Sequence, residues 1–178
     1  MTAKYETKPL WIPLVGMAAV IASSNFLVQF PINEWLTIAA FTYPLAFYVT
    51  DLTNRWAGPK DARKIAYAGL VIGLIISAII APMRIALASS TAFICSQLLD
   101  ILVFNKLRGR IWWQAPLLGS ILASILDTFI FFSLAFAGTG LNWLTLAGGD
   151  LVAKLFMAAF LLLPYRLSLG RLSPKPQS

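Results

Sequence analysis

A chain of 178 residues that is 59% apolar and 12% charged, with a mean hydropathy of +0.78, lies far from a soluble domain, in which about a quarter of residues are charged. Six membrane spans of about 20 residues each leave room only for short loops and tails, which excludes a large catalytic domain outside the membrane. Histidine is absent and Cys95 is the single cysteine, so imidazole ligands, a Ser-His-Asp triad, a disulfide framework and a multi-cysteine metal site are excluded.

Apolar runs near Leu10–Phe30, Leu36–Thr53, Ile65–Ala81, Ile85–Phe104, Ala115–Ala137 and Trp143–Leu163 predict six transmembrane helices. The fold class is therefore an all-α membrane protein, a six-helix bundle forming one domain over residues 1–172. Residues 173–178 read as a disordered tail with almost nothing to bury. The first run is too long for a signal peptide and lacks a small-residue cleavage site, so it reads as a retained helix.

The net charge of +7 comes from 14 basic and 7 acidic residues. The basic residues cluster at the ends of apolar runs, which is a topology signal and not a nucleic-acid face. Lys4, Lys8, Arg55, Lys60, Arg63, Lys64, Lys106, Arg108, Arg110, Arg166, Arg171 and Lys175 fall on one side, Arg84 on the other, and Lys154 inside the sixth run. The positive-inside rule then places both termini in the cytoplasm. No internal repeat connects the halves, so an inverted-repeat transporter is not indicated.

Function has to come from polar groups that hydrocarbon cannot solvate. A carboxylate at the bilayer centre costs about 2.5–3.5 kcal/mol on insertion scales, so it faces protein, a cavity or a partner. Phe93, Gln97, Asp100 and Phe104 share one face of the fourth span, and Ser120, Ser124, Asp127 and Phe131 repeat the pattern on the fifth. Two helices thus each offer a carboxylate, smaller polar groups and an aromatic. This suits a flat, nitrogen-rich ring, because an ionised Asp accepts two adjacent N–H donors and an amide both donates and accepts. The competing reading is hydrogen bonding between helices, and for the serines alone close helix packing is the better account.

Asn25 and Gln29 line one face of the first span, as glue between helices or as ligand contacts. Asp150 precedes Lys154 by four residues, the spacing of an internal ion pair, and Gly148-Gly149 just before it is a weak signal of a helix break. Near the inner end of the second span, Thr50, Asp51 and Arg55 form a gate or a clamp, with Asp51 expected to pair with Arg55 or with Arg63 and Lys64. Trp56, Trp112 and Trp113 read as interfacial anchors and Cys95 as packing.

These residues also carry a resemblance. The segment from Thr42 to Arg55, Ala62-Arg63, the stretch from Arg84 to Ser90, the stretch from Ser96 to Phe104, and Trp112-Trp113 followed by Ser120, Ser124, Asp127-Thr128 and Phe131-Phe132 are similar to those of the queuosine precursor transporter family. That family is also called the YhhQ-like or vitamin uptake transporter (VUT) family. The likeness spans roughly Phe41 to Phe136. It implies a bacterial inner-membrane importer of 7-cyano-7-deazaguanine and 7-aminomethyl-7-deazaguanine, salvaged for queuosine in tRNA. It also implies a six-helix fold like the substrate-binding S components of energy-coupling-factor transporters. Thr50, Asp51, Gln97, Asp100 and Asp127 are the motif residues transferred by position, with Phe93 or Phe131 offering a ring face and Asn25 a further contact.

No cofactor is implied. The expected partners are the deazaguanine and membrane lipid, with no direct nucleic acid, and a homo-oligomer or an energising partner stays open. The alternatives are an S component requiring an ATP-driven module and an intramembrane enzyme using Asp100 and Asp127 as paired acids.

Overall fold

The computed structural model describes residues 9–27, 30–33, 35–140 and 142–172. Lys4, Lys8, Gln29 and the expected tail from 173 lie outside the described residues. The chain runs through α1 (Trp11–Leu27), β1 (Pro31–Asn33), β2 (Leu36–Thr37), α2 (Ala39–Thr42), α3 (Leu45–Ala57), α4 (Pro59–Ile80), α5 (Met83–Leu107), α6 (Gln114–Phe136), α7 (Trp143–Phe160) and α8 (Leu162–Leu172). The two strands form a small antiparallel hairpin. The helices make a six-span bundle in which two spans are each built from two pieces.

The break between α2 and α3 falls at Tyr43-Pro44. Proline has no N–H to continue the helical ladder and its ring crowds the preceding turn. The helix restarts when Ala46 N donates to Tyr43 O at 2.9 Å. At Leu161 the ladder carries through, since Leu161 N donates to Met157 O at 2.8 Å and Tyr165 N to Leu161 O at 3.1 Å. Pro164 follows within one turn and has no N–H to give the ladder, so the interruption falls there. Helices α4, α5, α6 and the continuous stretch Trp143–Gly170 are long and apolar enough to cross a membrane, whereas α1 has 17 residues.

Large apolar side chains point outward at helical spacing: Val71, Ile75 and Ile79 on α4, Leu118, Leu122, Ile125 and Phe129 on α6, Val152, Phe156 and Phe160 on α7. In a bilayer these stripes meet lipid, so the inward faces need not be oily. Those inward faces carry Ala62 and Ala66, Ala88 and Ala92, Ala115 and Ala123, and Ala153 and Ala158, small residues that let helix backbones approach closely. Met17, Ile21, Ala46, Ile65 and Phe93 form one apolar cluster, and Phe104, Ala115 and Tyr165 another near the basic end.

Gly148-Gly149 leaves α7 unbroken. Gly149 instead gives the hairpin a seat: a β-carbon there would lie 2.7 Å from the Trp35 carbonyl oxygen, whereas one at Gly148 would meet nothing within 4 Å. The pair is thus a matched experiment. Gly149→Ala is expected to destabilise by about 1–3 kcal/mol, because backbone cannot yield as a side chain does. Gly148→Ala is expected to be neutral or stabilising by up to about 1 kcal/mol, through helix propensity. Thermal unfolding in detergent, followed by circular dichroism, distinguishes the two.

Candidate functional site

Helices α3 and α5 run parallel and are bolted in register. Thr50 Oγ1 donates to Gln97 Oε1 at 2.6 Å, and Asn54 Nδ2 to the Ile101 carbonyl at 3.4 Å. Both pairs are separated by 47 residues, so one helix has not slipped against the other over a full turn. Asp51 and Asp100 occupy the same levels, and their carboxyls face one another. Thr50, Asp51, Gln97 and Asp100 are all at most 2% exposed.

Among the described residues, Asp51 Oδ1, Gln97 Nε2, both oxygens of Asp100 and Ser124 Oγ meet no complementary donor or acceptor, Asp51 and Asp100 offering each other only carboxyl oxygens. Each such group costs about 1–3 kcal/mol, more when charged. Most buried polar groups are paired, so the five such atoms gathered between α3, α5 and α6 make this layer the candidate site. Three oxygens accept, an amide nitrogen donates, and a hydroxyl does either.

Asp51 opens onto a narrow cleft between α3, α6, α7 and α8, where Tyr48, Ser120, Ser124 and Tyr165 are the other polar side chains. The cleft has room for a water molecule and not for a heterocycle. A ring enters only if α6 and the α7–α8 span move away from α3. Asp100 lies behind Asp51 against Gly119, where a β-carbon would come within 2.5 Å of Asp100 Oδ1. Glycine is required there for α5 and α6 to close over the acid.

Asp127 sits in a different setting. Its Oδ1 accepts from Tyr43 Oη and Ser96 Oγ, each at 3.2 Å, and its Oδ2 accepts from Lys154 Nζ at 2.8 Å. Lys154 also pairs with Asp150 at 2.5 Å and reaches Thr128 Oγ1 at 3.3 Å, while Thr128 donates to Asp150 at 2.9 Å. The ammonium lies 5.3 Å from the Tyr43 ring centre, within cation–π reach. Asp150 and Lys154 therefore do form the pair that their spacing suggested, with Asp127 as its third member across the helix interface.

The inner-end clamp has other partners than the expected ones. Arg108 Nη2 donates to the Asn54 carbonyl oxygen and, at 2.7 Å, to Asn54 Oδ1, and Arg55 Nη1 donates to the Arg108 carbonyl at 3.2 Å. Partial burial, then the Arg55 charge, draws the Arg108 guanidinium below its ordinary value. Among the described residues Asp51 makes no ion pair with Arg55, Arg63 or Lys64, and Lys64 bonds Asp61 instead. Asp51 points into the bundle, not along the helix end.

The remaining candidates are distributed. Phe93 is buried edge-on against Tyr43, with ring centres 6.2 Å apart. Phe131 is half-buried and packs on Phe132 and Phe136 toward the far end of α6, away from the unpaired layer. Asn25 donates to the Ile21 carbonyl and accepts from Ser77 Oγ, each at 3.0 Å, tying α1 to α4. The stripe reading passes over Tyr43 and Tyr165. The signal for Tyr43 is its place beside Pro44 in the middle of an apolar run.

A family model described as "Putative vitamin uptake transporter" matches residues 79–167. A "Probable queuosine precursor transporter" of Haemophilus influenzae is 34% identical over 186 residues, covering 82% of this chain and 79% of its own. The "Queuosine precursor transporter" of Escherichia coli is 34% identical over 192 residues, covering 92% and 86%. A "Probable queuosine precursor transporter" of Bacillus subtilis is 26% identical over 171 residues, covering 79% and 74%. No solved structure matches.

The Lys154 cluster makes a stability prediction. Removing the ammonium by Lys154→Met strands two carboxylates and is expected to destabilise by about 3–5 kcal/mol. Adding Asp127→Asn restores the net charge and is expected to recover a substantial part of that loss. Unfolding midpoints of the single and double variants in detergent measure the recovery.

Proposed function

We propose, for a chain that belongs to the queuosine precursor transporter family, that it imports 7-cyano-7-deazaguanine and 7-aminomethyl-7-deazaguanine for queuosine salvage. The observation that carries this reading is the layer of unpaired polar atoms on Asp51, Gln97, Asp100 and Ser124. A deazaguanine presents a ring N–H beside an exocyclic amine, which together match one carboxylate, and a carbonyl that an amide N–H or a hydroxyl can meet. Asp51 takes the donor edge, since it faces the cleft, and Gln97 Nε2 or Ser124 takes the carbonyl. Asp100 backs Asp51 from behind, its carboxyl facing that of Asp51. The ring supplies what the protein lacks at this level.

The reading also explains why the layer is sealed. A polar solute crosses a bilayer in contact with protein groups that replace its water, and the site then opens toward one side at a time. The basic residues at the ends of α3, α4, α5 and α8, with Arg108 and Arg110 ahead of α6, lie on one side of the bundle, which supports an inner-membrane protein with that end in the cytoplasm. The protein is then a carrier in which the substrate leaves unchanged, and its partners are the deazaguanine and lipid.

The test is uptake of labelled precursor by cells lacking both deazaguanine synthesis and their own carrier. Expression of the chain is expected to restore uptake. Asp51→Asn and Asp100→Asn are each expected to reduce it at least tenfold at unchanged membrane abundance, about the cost of one lost charge-assisted hydrogen bond. Parental uptake by both variants would remove the assignment of the layer.

A further inference from the structure

We propose that the bundle holds a second cleft for the same deazaguanine, facing the opposite side, and that the Lys154-centred crosslink is the barrier between the two. This rests on the carrier reading above.

The second cleft lies between α1, α4 and α5, and its polar lining is Ser24, Asn25, Tyr43, Ser77, Ser89 and Ser90. These residues occupy the Arg84 half of their helices, whereas Asp51, Ser120 and Tyr165 of the first cleft occupy the basic half. Polar side chains already line both halves of a route. The two clefts meet at the helix break: Tyr43 lines one and Pro44, the next residue, lines the other. Both are small, and Gly73 keeps the second free of a side chain where Ile21 approaches.

The crosslink adjoins both: Tyr43 lines the second cleft, and Asp127 follows Ser124 of the first by three residues on α6. Through Tyr43, Ser96, Asp127 and Lys154 it joins the Tyr43-Pro44 break, α5, α6 and α7 at one level. Its bonds are of two kinds. The Lys154 contact to Asp127 Oδ2 is charged and 2.8 Å long, whereas the Tyr43 and Ser96 hydroxyls reach Oδ1 at 3.2 Å. The hydroxyl pair is the exchangeable part. A ring carrying adjacent N–H donors can take their place on Oδ1 while Lys154 keeps Oδ2 neutralised, so the carboxylate is never bare during passage. A solute without such donors has nothing to offer in exchange, and opening then costs the full desolvation of a buried acid. The barrier is therefore selective for donor-rich rings, and it tells why Asp127 is paired while the Asp51 layer is not.

Thiol accessibility tests this in sealed membrane vesicles of both orientations, in a Cys95→Ser background, with a membrane-impermeant maleimide as the probe. Ser89→Cys is expected to react from one face only and Ser124→Cys from the opposite face only, with labelled 7-cyano-7-deazaguanine slowing both. The charge-preserving double variant Asp127→Asn/Lys154→Met is expected to raise wrong-side labelling of each position at least tenfold. Tyr43→Phe, which deletes one hydroxyl and keeps the ring, is expected to raise it several-fold and serves if the double variant fails to fold. Reaction of both cysteines from the same face, or unchanged sidedness in these variants, overturns the barrier. Intact sidedness without protection by the deazaguanine overturns the substrate reading instead.

Discussion

Hydrocarbon offers no hydrogen bonds. A polar group carried into the bilayer must be met by another group of the same chain, by a solute, or by nothing at a cost of kilocalories. That constraint sorts the interior of this protein. Asp127, Asp150, Thr128, Tyr43 and Ser96 converge on Lys154 and on one another, while Asp51, Gln97, Asp100 and Ser124 keep atoms that nothing in the chain answers. Both groups are acidic and buried. Only one is completed by the described chain, and the two differ in that completeness, not in depth.

The packing follows from the same constraint. Because lipid is as apolar as leucine, large apolar residues gain nothing by turning inward, and Val71, Phe129 and Phe156 stay outside. The interior is held by close approach of small residues and by bolts between backbones and side chains. Gly119 permits α5 and α6 to shut over Asp100, Thr50 and Asn54 lock α3 to α5, and Arg84 binds the Leu134 and Ala137 carbonyls at the end of α6. A bundle joined by discrete polar contacts and thin small-residue seams can exchange one set of contacts for another, which a dense apolar core resists.

What could be read from the amino-acid order reflects which physical signals are local. Span number follows from hydropathy and end charge, and the faces of α5 and α6 follow from periodicity, so Gln97, Asp100 and Ser124 stand out without coordinates. The pairing of Asp150 with Lys154 is likewise local, a matter of four residues on one helix. Relations between helices are not encoded this way. Asp127 shares a stripe with Ser120 and Ser124, yet it meets Lys154 of another span. Phe131 shares that stripe too, but four residues place it about 6 Å farther along the axis, beside Phe132 and Phe136. A stripe gives the direction of a side chain and leaves its depth to be matched against a neighbour. The inner-end clamp shows the same limit: Asp51 and Arg55 are one turn apart, but Arg55 bonds the Arg108 carbonyl and Asp51 turns inward.

The proline break links these levels. Pro44 in the middle of an apolar run is a local signal whose effect is not local. It interrupts the ladder between α2 and α3 while Tyr43 and Pro44 keep helical backbone angles; Tyr43 beside it reaches Asp127 on α6, 84 residues away, and the register of α3 against α5 holds below it. The upper piece of the span is tied to the Lys154 network and the lower piece to Gln97 and Ile101 of α5, beside Asp51 and Asp100. The missing ladder bond thus falls between a layer that the chain completes and one that it does not.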